Sequence, residues 1–395
     1  MDPENTDYCA SGNVRLDRDY PEIYMRKMTC LLAGAVFMAP DLGLSAAHAQ
    51  NLNAEAPYMP KACSTHVTVA PTKVADDPNL DPAVREFLIP LNKDPSPFWE
   101  LPQPRPQEIL TGLQNHTPVD MSGVTITEQS LTVDGRAVKL FIMRPNQVTR
   151  HPGVILFIHG AVWIAGNFEN HKRLVRDLVV ASGQPAVFPE ITNLPDGKYP
   201  VPLNQGYAAL EWIVAHASEF GADGGRIAVA GNSVGGNMTA ALNLMVKDRR
   251  GPRISYQVLL WPATNAGVDT CSYQEFANGR FLSREFMKYG WDRYAPTEKE
   301  RESPYVSPLR ASLAQLRGLP PTLVITEEND VLRDEGEAYA HRLQDAGVPT
   351  VFVRYNGTIH DFGLLNGLAD LPATKAAIRQ VAEGIREHIG EPTGE

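Results

Sequence analysis

The spacing of apolar positions changes several times along the chain, and each change predicts an element. Apolar and polar side chains alternate over residues 124–127 and 131–133, and again over 138–143 after Asp134-Gly135. Alternation is the period of a half-buried strand, and Asp-Gly between two such runs predicts a hairpin. Residues 154–158 (Val-Ile-Leu-Phe-Ile) form a solid apolar run, with further strand signals at 186–188, 227–230, 258–261, 322–325 and 351–355. Between these runs the spacing is helical. Leu174, Val175, Leu178 and Val179 share a face, as do Tyr207, Leu210, Ile213 and Val214. Met238, Ala241, Leu242 and Met245 follow, and Ile378, Val381, Ile385 and Ile389 mark a closing helix. Apolar strands alternating with amphipathic helices predict an α/β fold, a mostly parallel central sheet with helices on both faces.

Two regions depart from this rhythm. Residues 50–120 are proline-rich up to residue 118 and carry no strand signal. Helical pieces fit 82–89 and 107–114, with Pro95, Pro97, Pro102, Pro104 and Pro106 breaking the stretch between. Such an arm cannot make its own core and is expected to pack on the main domain as an arm or lid. The second region lies between Trp261 and Thr322, about 60 residues where one crossover helix needs far fewer. It holds Tyr273, Phe276, Phe281, Leu282, Phe286, Met287, Tyr289, Trp291 and Tyr294. The plain reading of these residues is core; the functional reading is the other half of a lid lining an apolar pocket. The expected organisation is a leader over 1–49, an arm with cap helices over 50–120, and a catalytic domain over 121–395 with a cap insertion at about 270–310.

Composition narrows the function classes. Of 395 residues 43% are hydrophobic and 21% charged, which excludes disorder, collagen and coiled coil for the whole chain. The net charge of -10 leaves no electrostatic footprint for nucleic acid or anionic lipid. Apart from residues 28–40, no stretch approaches the roughly 20 apolar residues that span a bilayer. That one run follows Arg26-Lys27 and leads to Ala47-His48-Ala49 before Gln50, the order of a secretory signal with Met25 a candidate start. Export is the expectation. Cys9 and Cys30 would leave with the leader. Cys63 and Cys271 are an even pair, open to a disulfide, though two separate buried thiols are the simpler expectation. There is no HExxH, CxxC or close His/Cys cluster in the sequence, so no metal and no cofactor is expected.

The chemistry concentrates at three loops. Gly231-Asn232-Ser233-Val234-Gly235 follows a strand and opens a helix, the context a G-x-S-x-G nucleophile elbow requires. The sharp turn presents Ser233 Oγ, flanking glycines let strand and helix approach, and the Val234 N–H points where an oxyanion would form. Downstream, Asp330 follows the strand at 322–325, and His360 follows the strand at 351–355. Nucleophile, acid and base thus stand in α/β-hydrolase order, past the carboxyl ends of strands where open α/β sheets place ligands. His360 would take the Ser233 proton. Glu327, Glu328, Asp334 and Asp361 rival Asp330 for the acid, with Asp334 expected as a helix N-cap. Upstream, the strand at 154–158 runs into His159-Gly160-Ala161-Val162-Trp163, where this fold carries its second oxyanion element.

These separated motifs resemble the hormone-sensitive-lipase-like, or bacterial type IV, esterases of the α/β-hydrolase superfamily. Residues 231–237 resemble the family's GDSAGGN, residues 330–336 its DPLRDEG, and residues 359–362 its IHGF. Trp261-Pro262 and Ser307-Pro308-Leu309 also match, and the likeness covers roughly 75–390. The resemblance implies an α/β-hydrolase fold with a helical cap and gives Asp330 the acid role. It also implies an oxyanion hole formed by the N–H groups of Ala161, Val162 and Val234. The chain also departs from the pattern. Ala161 and Val162 replace glycines, Asn232 replaces an aspartate, and residues 190–195 replace DYRLAP. A β-branched residue is strained at positive φ, so the loop at Val162 is expected to run more extended or to turn that side chain away. Its side chains are expected to narrow the site.

The implied activity is hydrolysis of short-acyl carboxylic esters through an acyl-enzyme, with no cofactor and a small-molecule ester as partner. Trp163, Phe281, Leu282 and Phe286 are the candidate pocket wall. The alternatives are an amidase or arylformamidase of the same fold, and a non-catalytic binding protein. A homodimer is left open.

Overall fold

The computed structural model describes Cys63 and residues 73–94, 96–147 and 151–390. The proposed leader and its cleavage site lie outside these residues. In chain order the elements are α1 (Pro82–Leu91), α2 (Arg105–Asn115), β1 (Val124–Val133), β2 (Arg136–Pro145), β3 (Val154–Ile158), α3 (Phe168–Ser182), β4 (Ala186–Pro189) and α4 (Val201–His216). Next come β5 (Ile227–Asn232), α5 (Val234–Arg249), β6 (Tyr256–Leu260), α6 (Cys271–Glu275), α7 (Arg284–Tyr294) and α8 (Glu298–Glu302). The last are α9 (Leu313–Leu316), β7 (Thr322–Asn329), α10 (Arg333–Asp345), β8 (Thr350–Ile359) and α11 (Pro372–Ile389).

The eight strands form one sheet in the order β1-β2-β4-β3-β5-β6-β7-β8. β1 and β2 are antiparallel, β2 meets β4 antiparallel, and every other pair is parallel. The hairpin turns at Asp134 and Gly135, both left-handed (φ 50° and 75°), the backbone a two-residue turn of this hand needs. The solid apolar strands follow from burial on both faces. In β3, Val154, Leu156 and Ile158 enter one core cluster, while Ile155 and Phe157 enter another across the sheet. Helices α3 and α11 cover the second cluster with Leu174, Leu178, Val381 and Ile385, and α4 and α5 cover the first with Leu210, Ile213, Met238 and Leu242. Of the helix faces read from the sequence, Val214 is exposed (47%), so the buried stripe of α4 is narrower than its pattern suggested.

The N-terminal helices cap this sheet through polar side chains as well as apolar ones. The Gln114 side chain donates to the carbonyls of Asn170 (2.7 Å) and Leu364 (2.9 Å), and Gln103 donates to that of Leu194 (3.1 Å). Asp77 and Arg280, both fully buried, form an ion pair between the arm and the insertion. Two sequence expectations change here. Cys63 and Cys271 are not separate thiols but a disulfide joining positions 208 residues apart. Nothing local signals this, because the contact depends on the arm folding back to the insertion, where Cys63 N–H donates to the Asp269 carbonyl (3.1 Å). Asp334 is not an N-cap. Leu332 holds that position, and Asp334 sits in the first turn of α10, accepting from Ser272 N–H (2.8 Å).

Candidate active site

The site forms where β3, β5, β7 and β8 end. β5 runs straight into α5, and the one residue between them, Ser233, is held at φ 57° and ψ -123°. Such a backbone is strained for a residue with a Cβ. Tight packing fixes it: a Cβ at Gly235 would overlap the Ile158 carbonyl oxygen, and one at Gly160 would strike Asn232 and Ser233. The glycines beside the serine are therefore required by close approach of strand, turn and helix. Ser233 N–H donates to the Leu260 carbonyl (2.9 Å), which ties the turn to β6.

Ser233, His360 and Asp330 lie in one hydrogen-bonded line. His360 Nδ1 is 2.8 Å from Asp330 Oδ2, and His360 Nε2 is 2.9 Å from Ser233 Oγ. A carboxylate only accepts, so Nδ1 carries the ring proton and Nε2 is left to accept from the serine hydroxyl. All three side chains are buried. Burial works against a charged imidazole, but the carboxylates of Asp330 and Asp361 outweigh it, and His360 titrates above its ordinary range.

Two of the rival acids, Glu328 and Asp334, are engaged elsewhere. Glu328 accepts from Gly357 N–H (2.7 Å), and Asp334 binds Ser272 and Arg333. Glu327 is fully buried, and neither carboxyl oxygen has a donor among the described residues. Burial first, and then the neighbouring Asp330 charge, push its carboxyl well above the usual range. Glu327, Asp330 and His360 offer atoms within 4.8 Å of one another, the metal-ligand type of cluster found among the described residues. Two of its three members are the hydrogen-bonded acid–base pair, and the chemistry derived below uses no metal.

Asp361 has a function the sequence reading missed. Its Oδ1 accepts from Asn232 Nδ2 (2.9 Å) and Trp261 Nε1 (2.6 Å), and its Oδ2 stands 3.9 Å from His360 Nε2. Asn232 Oδ1 in turn accepts from Gly160 N–H (3.0 Å). Asn232 thus bridges the loop after β3 to the loop after β8. The resembled motifs carry an aspartate at the first position and a glycine at the second. Here the carboxylate stands on the histidine loop instead, at φ 62°. The signal was present as two paired departures, Asn232 and Asp361, but their contact spans 129 residues.

The loop after β3 corrects a further expectation. Ala161, Val162 and Trp163 all have positive φ (70°, 55° and 57°), so Val162 takes the strained conformation rather than an extended one. Its side chain is buried against Gly290 of α7, so it turns away from the space where it was expected to narrow the site. The N–H groups of Ala161, Val162 and Val234 find no acceptor among the described residues. His159 is buried and stays neutral, pushed down to about 4 chiefly by that burial, and its ring stacks on Phe188.

The expected pocket wall is also redrawn. A cleft of about 990 Å³ lies between the arm and the insertion, lined by Leu88, Trp99, Leu110, Phe281 and Tyr289 among others. Phe281 therefore lines it. Leu282 and Phe286 are core residues instead, with Phe286 stacked on Trp99 at 4.7 Å. Trp163 is buried against Tyr294. Periodicity marked these side chains as apolar, but only packing decides which of them faces a cleft. Leu110 and Phe281, which line the cleft, pack with Ala161 of the loop after β3, while Ser233, Asp330 and His360 are not among the lining residues.

Residues 155–364 match the α/β-hydrolase fold family. The chain belongs to that family. It is 37% identical over 312 residues to an α/β hydrolase of Acanthamoeba polyphaga mimivirus, covering 78% of this chain and 88% of that protein. An arylesterase of Saccharolobus solfataricus is 31% identical over 287 residues, 72% of this chain and 92% of its own. Among solved structures, a thermostable esterase from Pseudomonas putida ECU1011 is 47% identical with a TM-score of 0.77, covering 79% of this chain and 98% of that one. This α/β-hydrolase is thus related to bacterial and fungal carboxylesterases.

Proposed function

We propose that this α/β-hydrolase is a carboxylic ester hydrolase of the hormone-sensitive-lipase-like group, acting on short-acyl esters. The observation that carries the reading is the line Ser233 Oγ, His360 Nε2, His360 Nδ1, Asp330 Oδ2, with both hydrogen bonds below 3 Å. Ser233 Oγ attacks the ester carbonyl while its proton passes to His360 Nε2. Asp330 orients the ring and stabilises the imidazolium. The carbonyl oxygen, now negative, lies against the N–H groups of Ala161, Val162 and Val234. Collapse breaks the bond to the alcohol, which leaves with the proton from His360. Water deprotonated by His360 then attacks the acyl-enzyme, and the acid is released as Ser233 regains its proton.

The short-acyl choice rests on the resembled family and on confinement. Ser233 is fully buried, so the acyl group must fit in enclosed space. Export is part of the same proposal. Its supports are the basic, apolar and small-residue order over 26–49 and a disulfide, which persists in oxidising compartments.

A panel of p-nitrophenyl esters from acetate to palmitate tests the activity, run beside the matching aryl amides, with fluorophosphonate labelling of Ser233. Ester turnover with stoichiometric labelling is the expected result. Faster amide turnover makes the protein an amidase, and neither turnover nor labelling makes it a binding protein.

A further inference from the structure

Three successive non-glycine residues at positive φ need a cause outside their own segment. For Ala161 and Trp163 the left-handed region is unfavourable, and for the β-branched Val162 it is more so. The loop's own hydrogen bonds hold its carbonyls: Ile164 N–H donates to the Ala161 carbonyl (2.9 Å) and Leu194 N–H to that of Trp163 (2.7 Å). They do not hold the Val162 N–H. What meets the Val162 and Trp163 side chains is one helix of the cap insertion. A Cβ placed on Gly290 would overlap Val162 Cγ1, so the valine occupies the room that a side chain at 290 would take. One and four residues on, Trp291 and Tyr294 receive the Trp163 indole, with centroids 4.7 Å and 3.9 Å away and the Tyr294 ring within 7° of parallel. Val162, Trp163, Trp291 and Tyr294 are all buried.

Glycine inside a helix is unfavourable, and α7 carries one at its centre. The valine supplies the reason. We infer that Gly290 is a positioning residue for the oxyanion loop, its missing side chain forming the notch in α7 that seats Val162 and aims the Val162 N–H. The inference rests on the esterase reading, which assigns that N–H to the oxyanion. It goes beyond that reading by giving the cap insertion a part in transition-state stabilisation rather than in covering the site alone. Glycines, which the resembled motif carries here, can adopt this backbone at no steric cost. This chain reaches it with side chains, by bracing them against the cap.

The test is a double-mutant cycle on p-nitrophenyl acetate with Gly290→Ala, Val162→Gly and the pair. In Gly290→Ala the added methyl pushes Val162 out of its seat. kcat is expected to fall about 10- to 100-fold while KM stays within about threefold, since the donor acts on the transition state. In the double variant the valine side chain is gone and the notch no longer matters. Its kcat is therefore expected to lie within about threefold of Val162→Gly alone. A Gly290 needed for reasons other than seating Val162 would show no such rescue, and a general loss of fold would not confine the effect to kcat. Should Gly290→Ala fail to fold, the comparison of the double variant with Val162→Gly still decides. Equal kcat supports the inference, and a kcat lower by about tenfold or more overturns it. Unchanged kcat in a folded Gly290→Ala variant also overturns it. Wild-type protein with no ester turnover and no fluorophosphonate labelling would instead overturn the esterase reading.

Discussion

Asp361→Asn separates two roles of one carboxylate. In the wild type, Asp361 Oδ2 stands 3.9 Å from His360 Nε2, the atom proposed to take the serine proton. Two unit charges at about 4 Å interact by about 4 kcal/mol at the effective dielectric of ~20 that suits protein sites. That is a ceiling of about three pKa units, at 1.36 kcal/mol each. Oδ1 of the same carboxylate already accepts from Asn232 and Trp261, which draws charge away from Oδ2. The shift is therefore expected to fall short of that ceiling. The sign follows from the chemistry. The base must be neutral, and the carboxylates of Asp330 and Asp361 hold His360 protonated to a higher pH than an ordinary imidazole. Removing one charge lets the ring lose its proton earlier, so the acid limb of kcat/KM moves down in pH. Asparagine suits the perturbation because it tolerates φ 62° and its Oδ1 accepts from the same two donors. The assay is kcat/KM for p-nitrophenyl acetate across the acid limb and its plateau. An acid limb that stays put or moves up, in a variant whose Ser233 still labels, would refute the electrostatic coupling.

Ser233→Ala is expected to lower kcat by about four orders of magnitude or more, and His360→Ala comparably, because triad members act as a unit. Retention of a substantial share of wild-type kcat by either variant contradicts the assignment. Reduction of the Cys63–Cys271 bond, or Cys271→Ala, is expected to lower stability by about 2–4 kcal/mol, since a bridge over 208 residues restricts the unfolded chain strongly. An unchanged Tm with both thiols shown to be reduced would contradict it. Across acyl chains, each CH₂ that fits gains about 0.8 kcal/mol of burial and each that does not loses more through overpacking. kcat/KM is accordingly expected to peak between acetate and hexanoate, and a peak at palmitate would make the protein a lipase.

Much of this molecule is written locally. The strand at Val154–Ile158 has the bounds its apolar run marks, because a strand buried on both faces needs five apolar residues in sequence. The hairpin turns at Asp134-Gly135 because those two residues tolerate positive φ. Ser233, Asp330 and His360 were legible for a related reason: each stands just past a strand, and parallel strands bring their carboxyl ends to one edge of the sheet. Other features depend on partners far away in the chain, and local spacing carries no record of them. The disulfide joins positions 208 residues apart, and Asn232 meets Asp361 across 129. Phe281 and Phe286 lie five positions apart in one aromatic run, yet the first lines the cleft and the second is stacked on Trp99. Val162 shows the difference most directly. Its β-branched side chain argues against positive φ at the level of a single residue, and the tertiary structure overrides that preference because a notch at Gly290 gives the side chain somewhere to go.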